Sequence, residues 1–340
     1  MRAARFHEFG PPDVLRVEER PDPELPDDGL LVRVAAAALN PVDLEIRAGH
    51  VSVAIAGTPP RGLGADLAGT VVRAGRDVQR YAVGDRVMAM LPAFKGEAYA
   101  EFAVVPEAAA APWPEGVTAA EAAGTPLVTL TALQGLRSRG GLRAKHRVLI
   151  HGASGGVGSM AVQVGRRFGA HVVGTASAPH LDLVRELGAH EAVDYAAEDV
   201  TRRDGFDIVF DVAGTLPFAK ARPMLRPTGA YVTTRVTPGV VTRTVLQKAM
   251  PGPTMAFCQV GPDGETLEGI QAVLAAGSLR TVVDRTYALE DAAEAHRYLA
   301  EQTGAGKVVL IVDPEQADPP ETDTDAAPEA SSEAAPDADG

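Results

Sequence analysis

Between Arg147 and Phe168 the chain reads RVLIHGASGGVGSMAVQVGRRF: a short strand-like run, seven glycine-rich residues and an amphipathic helix. On that helix Val157, Ala161, Val164 and Phe168 fall at spacings of four, three and four, which is one face of a 3.6-residue period. In the turn Gly152-Ala153-Ser154-Gly155-Gly156-Val157-Gly158, glycines permit a tight bend, close backbone approach to a pyrophosphate, and close packing of helix on sheet. The helix N-terminus then faces the phosphates. All seven residues are candidate cofactor contacts. A nucleoside-triphosphate loop is excluded, because Gly158-Ser159-Met160 offers no Lys-Ser/Thr pair for a β/γ-phosphate and magnesium.

The rhythm continues downstream. HVVGTA from His171 to Ala176 reads as the second strand and Leu181 to Leu187 as the next helix, with strands at 191–195, 207–212 and 230–234. Alternating β and α at this spacing predicts a parallel, doubly wound sheet. A site for NAD usually carries Asp or Glu at the end of the second strand to hold the ribose 2′-hydroxyl. Here stand Thr175, Ala176 and Ser177. No carboxylate repels a 2′-phosphate, Ser177 supplies a donor, and His180 and Tyr195 fall near the same pocket, so NADPH is the expected cofactor. No Lys or Arg occupies 175–182, so the usual cationic clamp is missing there.

Upstream, residues 1 to about 120 hold short β-type runs at 30–35, 68–74, 86–90 and 99–105 between Gly, Pro and Asp punctuation, which predicts a β-barrel-like domain. Thr118 and Glu121 are spaced as a capping box and mark the start of a new domain. Further strands are expected at 254–260, 281–289 and 307–312, with helices near 267–276 and 291–301. From Pro314 to Gly340 there is no Val, Ile, Leu or aromatic residue, so ordering that stretch would bury almost nothing apolar, and a disordered acidic tail is expected.

Length and charge narrow the partners. The 340 residues suffice for about two domains. One cysteine, Cys258, forms no internal disulfide and suits a reducing compartment. Lys plus Arg number 32 against 45 acids, nine of which lie in 314–340. The body is therefore nearly balanced and presents no basic field for nucleic acid. The opening MRAARFHEFG lacks an apolar targeting core, and no apolar run approaches the roughly 18 residues of a membrane span. Small-molecule partners and a cytoplasmic setting are expected.

Seven ordered landmarks resemble the medium-chain dehydrogenase/reductase superfamily, specifically its zinc-independent quinone oxidoreductase branch, which includes zeta-crystallin. They are Asn40-Pro41-Val42-Asp43, Gly64-Ala65-Asp66-Leu67-Ala68-Gly69, Val83-Gly84-Asp85-Arg86-Val87, Leu130-Thr131-Ala132, the glycine turn, Asp211-Val212-Ala213-Gly214 and Gly306-Lys307-Val308-Val309. The resemblance covers 1 to about 313. It implies a GroES-like catalytic domain (1–120), a Rossmann domain (121–260), a segment returning to the first domain (261–313), and the tail (314–340). Zinc-using relatives carry Cys where Asn40 stands, Gly-His-Glu where Gly64-Ala65-Asp66 stands and a four-Cys loop near 90–100. Those ligands are absent, so no metal is expected.

By the same resemblance Asn40 lies beside the nicotinamide and donates a hydrogen bond to developing charge, with fixing the turn before Pro41 as its alternative role. Thr131, Ala213, Gly214 and Lys307 line the cofactor, although Lys307 reads equally as a solvated lysine. Relatives often have Tyr where Glu45 stands. Of the histidines, His7, His50, His146, His171, His190 and His296 read as surface or strand-end positions and His151 as a packed residue. The implied activity is NADPH-dependent hydride transfer to a quinone or α,β-unsaturated carbonyl, in a homodimer paired through the 254–260 run. The alternatives are a non-catalytic NADPH-binding sensor or crystallin-like protein, or a pathway-specific enoyl reductase.

Overall fold

The computed structural model describes residues 1–247, 251–301 and 304–317. The first domain runs through β1 (Arg2–Phe6), β2 (Arg16–Glu19), β3 (Gly29–Ala38), α1 (Pro41–Arg47), α2 (Val53–Ala56), β4 (Arg61–Gly62), β5 (Asp66–Ala74), β6 (Arg86–Met90), β7 (Phe102–Pro106) and β8 (Ala110–Pro112). β3 is its spine. One edge pairs with β5 and the other with β7 near its start. The strand expected to stop at Ala35 continues to Ala38. Alanine has a weak strand preference, yet Ala35 to Ala38 are fully buried, and their pairing overrides the local signal.

Thr118 opens α3 (Ala119–Gly124) through the capping box, with the Thr118 amide donating to Glu121 Oε2 at 3.0 Å. This helix was expected to begin the second domain; it packs instead on β3 and β5 of the first. The next helix, α4 (Pro126–Leu133), continues as a π-helical turn at Gln134–Arg139 and packs on α5 (Gly156–Arg167).

The second domain is the parallel sheet β9 (Arg147–His151), β10 (His171–Ala176), β11 (Glu191–Asp194), β12 (Phe206–Asp211), β13 (Leu225–Thr233) and β14 (Thr254–Phe257). Its order is β11-β10-β9-β12-β13-β14, which within the domain is 3-2-1-4-5-6, the dinucleotide-fold order. Both faces are covered, as a parallel sheet requires. Along β9, Val148 and Ile150 enter one hydrophobic cluster and Leu149 the other.

The chain then returns. β15 (Val283–Ala288) and β16 (Lys307–Ile311) extend the first domain's sheet, with β16 antiparallel to β3, Val309 opposite Ala38. Four residues assigned to the tail, 314–317, are held on the body. Gln316 accepts from Thr70 Oγ1 at 2.6 Å, and Ala317 O accepts the Ala119 amide at 3.1 Å. From 318 onward the expected disordered tail lies outside the described residues. Among the described residues, no helix is long and apolar enough to cross a membrane.

Candidate cofactor and active site

The carboxyl ends of β9 and β12 form the switch point of the parallel sheet, where ligands of such folds lie. Gly152 leaves β9 with φ +87°, a conformation that favours glycine. Its amide donates to Thr175 Oγ1 at 3.1 Å, and that hydroxyl also meets His151 Nδ1 at 2.9 Å. The other ring nitrogen of His151 meets Thr215 Oγ1 at 3.0 Å, so the histidine is a packed brace beneath the turn. Burial pushes His151 down and the neighbouring Asp211 up, each partly opposed by the other's charge. Ala213 closes against Gly152, and the Val212 and Ala213 amides both donate to His151 O, at 3.0 and 3.1 Å. Ala153, Ser154, Gly155, Gly156, Val157 and Gly158 complete the turn, with Gly155 as the N-cap of α5. Gly158 touches backbone: a Cβ there would lie 2.0 Å from Gly152 O.

At the end of β10, Ser177 Oγ and His180 Nδ1 are 3.1 Å apart. Tyr195, just past β11, is 57% exposed, and its amide donates to Ala176 O at 3.3 Å, so all three expected residues share one corner. Thr131 is buried on α4, beside Cys258, whose thiol burial pushes up to about 12 and leaves unreactive.

Asn40 sits where β3 ends and α1 begins. Its amide nitrogen donates to Asp66 Oδ2 at 3.0 Å and lies 3.5 Å from Ala38 O, while its oxygen accepts from Lys307 Nζ at 2.6 Å. The side chain is 2% exposed. Both ends of the amide are therefore engaged inside the protein. Lys307 was expected to line the cofactor or to be solvated, and it is not solvated. It is 4% exposed, and Nζ donates to Leu39 O at 2.7 Å and Asn40 Oδ1 at 2.6 Å, with Asp66 Oδ2 at 3.4 Å. The first turn of α1 explains the pocket: Asp43 Oδ2 accepts the backbone N–H of Asn40 at 2.8 Å and the Tyr99 hydroxyl at 2.8 Å. Tyr99 in turn meets the ring of His296 edge-on. His296 was expected near the surface but is fully buried against Arg47, where burial holds it neutral, down to about 3.

The stem of Lys307 and the residue before it touch the cofactor turn from behind. Gly306 N donates to Ser154 O at 2.8 Å, and the Lys307 stem packs so closely on Gly156 that a Cβ there would meet Cδ at 2.9 Å. Asp66 Oδ1 accepts the Leu127 amide at 2.9 Å, tying α4 into the same knot. Sequence reasoning placed Asn40, Asp43 and Lys307 separately and assigned Asp66 and Tyr99 no role. The available signal was a lone carboxylate in the apolar run Gly64-Ala65-Asp66-Leu67-Ala68.

Burial raises Asp43 to about 6 against an ordinary 3.8. Its neutral form favours the fold, so the stabilisation is present below about pH 4 and is lost as pH rises to about 6. At roughly 1.4 kcal/mol per unit the change is about 2–3 kcal/mol. Urea midpoints at pH 4.5 and 7 should therefore fall with pH more in wild type than in Asp43→Asn; parallel shifts would refute this.

A parallel sheet in 3-2-1-4-5-6 order, joined through its glycine turn to a β-domain with a buried polar pocket, defines a dinucleotide-dependent oxidoreductase architecture. Two family descriptions match: "Alcohol dehydrogenase GroES-like domain" over residues 26–115 and "Zinc-binding dehydrogenase" over 187–310. The mitochondrial NAD(P)H oxidoreductase RTN4IP1 of Danio rerio is 32% identical, over 92% of this chain and 91% of its own. The chloroplastic NADPH-dependent alkenal/one oxidoreductase of Arabidopsis thaliana is 34% identical over 91% of this chain and 79% of its own. The solved quinone oxidoreductase of Coxiella burnetii superposes with a TM-score of 0.85 at 31% identity, covering 92% of this chain and 99% of that one. The chain belongs to the medium-chain dehydrogenase/reductase superfamily, among its quinone oxidoreductase-like members.

The second family description raises zinc, and the residues present do not fit it. Around Asn40 the donors are an amide, two carboxylates, a phenol and an ammonium, with Lys307 already supplying positive charge beside Asp66. Zinc takes Cys, His and carboxylate donors in a near-tetrahedral set; this pocket has no Cys, and its two carboxylates are engaged by Lys307, Asn40, Leu127 and Tyr99. Among the described residues no group of three His, Cys, Asp or Glu could hold a metal.

Proposed function

We propose that this protein is an NADPH-dependent oxidoreductase that delivers a hydride to a quinone or an α,β-unsaturated carbonyl without zinc. The observation that carries this reading is the pocket behind the glycine turn, where Lys307 ties Asn40 and Asp66 in place of a metal's donor set. Bound NADPH would supply the hydride; the chain supplies position. Gly152 to Gly158 would seat the pyrophosphate, Ala213, Gly214 and Thr131 would border the nicotinamide half, and Ser177, His180 and Tyr195 would face the 2′-phosphate. Lacking a Lewis acid to polarise a plain carbonyl, such a site favours acceptors that delocalise added charge by themselves. Asn40 acts in this reading by holding Lys307 and the start of α1, since its own amide faces inward.

The names of the Arabidopsis and Coxiella relatives support both acceptor classes. The test is NADPH absorbance with an ortho-quinone, an enone and, in reverse, ethanol with NADP, each with and without chelator. Quinone or enone reduction that survives chelator supports the proposal. Alcohol oxidation at a comparable rate overturns it, and NADPH binding without turnover would leave a non-catalytic binder.

Ser177→Asp should place a carboxylate against the 2′-phosphate and move preference toward NADH by about 1–3 kcal/mol, from repulsion plus a lost charge-assisted bond. Paired Kd values for the two cofactors decide it; tighter NADH binding in wild type would reverse the assignment.

β14 lies at an edge of the parallel sheet, paired only with β13 among the described residues. We place the homodimer contact there, two β14 edges closing one continuous sheet. Phe257→Lys should then halve the mass seen by light scattering at micromolar concentration, and a wild-type monomer would count against the pairing. A cytoplasmic setting rests on the single thiol, while the Danio and Arabidopsis relatives carry mitochondrial and chloroplastic names.

A further inference from the structure

A dinucleotide brings two negative charges in its pyrophosphate, and the Lys307 ammonium is engaged elsewhere. Lys307 is enclosed by Leu39 O, Asn40 Oδ1 and Asp66 Oδ2. The N-terminus of α5 offers only about half a charge. Arg235 stands two residues past the end of β13, exposed, on the same carboxyl edge as the glycine turn. Its Nη1 donates to Gly214 O at 3.3 Å, and its stem lies over Gly214, which has φ +68° and where a Cβ would come within 3.1 Å of Arg235 Cβ. One residue earlier, Ala213 touches Gly152 of the turn.

Among the described residues that hydrogen bond is the guanidinium's only one, and no carboxylate lies within 4.0 Å of it. The nearby Asp211 is occupied, accepting from the Thr215 and Leu216 amides and the Tyr231 hydroxyl. We infer that Arg235 anchors the cofactor's pyrophosphate from the β12–β13 side, opposite the N-terminus of α5. A planar guanidinium matches phosphate oxygens in pairs, and several of its N–H groups remain for that purpose. The inference rests on the dinucleotide reading above and names a contact that reading lacks.

The sheet order decides which phosphate it meets. Ser177 follows β10, three strand spacings from β13 in the order β10-β9-β12-β13, or about 14 Å. An arginine reaching back toward β12 meets the pyrophosphate over the switch point and not a 2′-phosphate beyond β10.

Titration calorimetry on full-length wild type, Arg235→Gln and Arg235→Lys tests this with NADPH, NADH, ADP-ribose and adenosine 2′-monophosphate. Glutamine keeps an N–H for Gly214 O but removes the charge, so a purely structural role would survive the change. Arg235→Gln should weaken NADPH, NADH and ADP-ribose by one common factor, on the order of tenfold. Adenosine 2′-monophosphate binding and Tm should stay unchanged, and Arg235→Lys should recover most of the loss. Unchanged NADPH affinity in Arg235→Gln overturns the inference, as does a loss confined to NADPH, which would mark a 2′-phosphate contact. Nucleotide affinities unchanged beside a raised KM for an anionic quinone overturn it in favour of a substrate contact. Wild type that binds none of the dinucleotides overturns the cofactor reading itself, a result distinct from all of these.

Discussion

Lys307→Met should destabilise the protein by about 3–5 kcal/mol, the cost of leaving one member of a buried ion pair without its partner. Asp66 is 0% exposed, and without the ammonium its remaining donors are the Asn40 side chain and the Leu127 amide. Two hydrogen bonds do not replace a countercharge in that surrounding. Burial already raises Asp66 and lowers Lys307, so each ion is held charged by the other. The loss in Lys307→Met should grow with pH as Asp66 is driven to ionise. Methionine keeps the stem that packs on Gly156, which confines the change to the charge. Adding Asp66→Asn should recover much of the stability, because the amide oxygen still accepts from Leu127 while the unpaired charge is gone. Urea unfolding of the four proteins closes the cycle. A double variant no more stable than Lys307→Met alone would show that packing, and not the ion pair, holds this junction.

That junction also explains what the sequence revealed and what it concealed. The strands β9 and β10 and the helix α5 were legible almost to the residue, because strand runs, glycine punctuation and a 3.6-residue stripe agree over 147–176. Ala36 to Ala38 were not, since alanine carries no strand signal and only pairing with β5 and β16 makes it one. Thr118 and Glu121 announced a helix correctly but gave no information about which domain would receive its face. The same division holds at the site. Gly152 to Gly158, Ser177 and Tyr195 are local signals, each tied to the end of a strand. Lys307 is 267 residues from Asn40, and Tyr99 is 56 from Asp43. Residue type alone says that a lysine is solvated; the return of β16 alongside β3 is what buries this one.

The polar knot has a consequence for how the two domains act together. Gly306 N bonds to Ser154 O, so the turn that would hold the cofactor is fastened to the strand that carries Lys307. Asp66 reaches from β5 to the start of α4, which carries Thr131. Displacing the turn therefore strains the pocket, and disturbing the pocket shifts the turn. Stability and cofactor affinity should fall together for substitutions inside this junction, and separately for substitutions outside it.

Gly158→Ala and Gly155→Ala give the sharpest contrast of that kind, and NADPH affinity in Gly158→Ala should fall at least about a hundredfold, or roughly 3 kcal/mol. A methyl at 158 would lie 2.0 Å from Gly152 O, 2.8 Å from Gly152 C and 2.9 Å from Ala153 Cα. All three are backbone atoms of the turn, so no side-chain rotation relieves the overlap, and α5 must back away from β9. Gly158→Ala should accordingly lose both cofactor binding and thermal stability. At Gly155 the backbone is ordinary, with φ −71°, and the nearest atom to an added Cβ is Gly152 O at 3.7 Å. The protein itself has room there, and alanine at an N-cap costs only a few tenths of a kcal/mol more than glycine, up to about 1. If Gly155 faces the pyrophosphate at the head of α5, Gly155→Ala should keep nearly wild-type Tm while losing affinity for NADPH and NADH alike. Calorimetric Kd values set beside thermal unfolding of both variants separate the two effects. Full NADPH affinity in Gly155→Ala would mean that the phosphates do not approach this turn, and full affinity in Gly158→Ala would mean that its spacing does not matter.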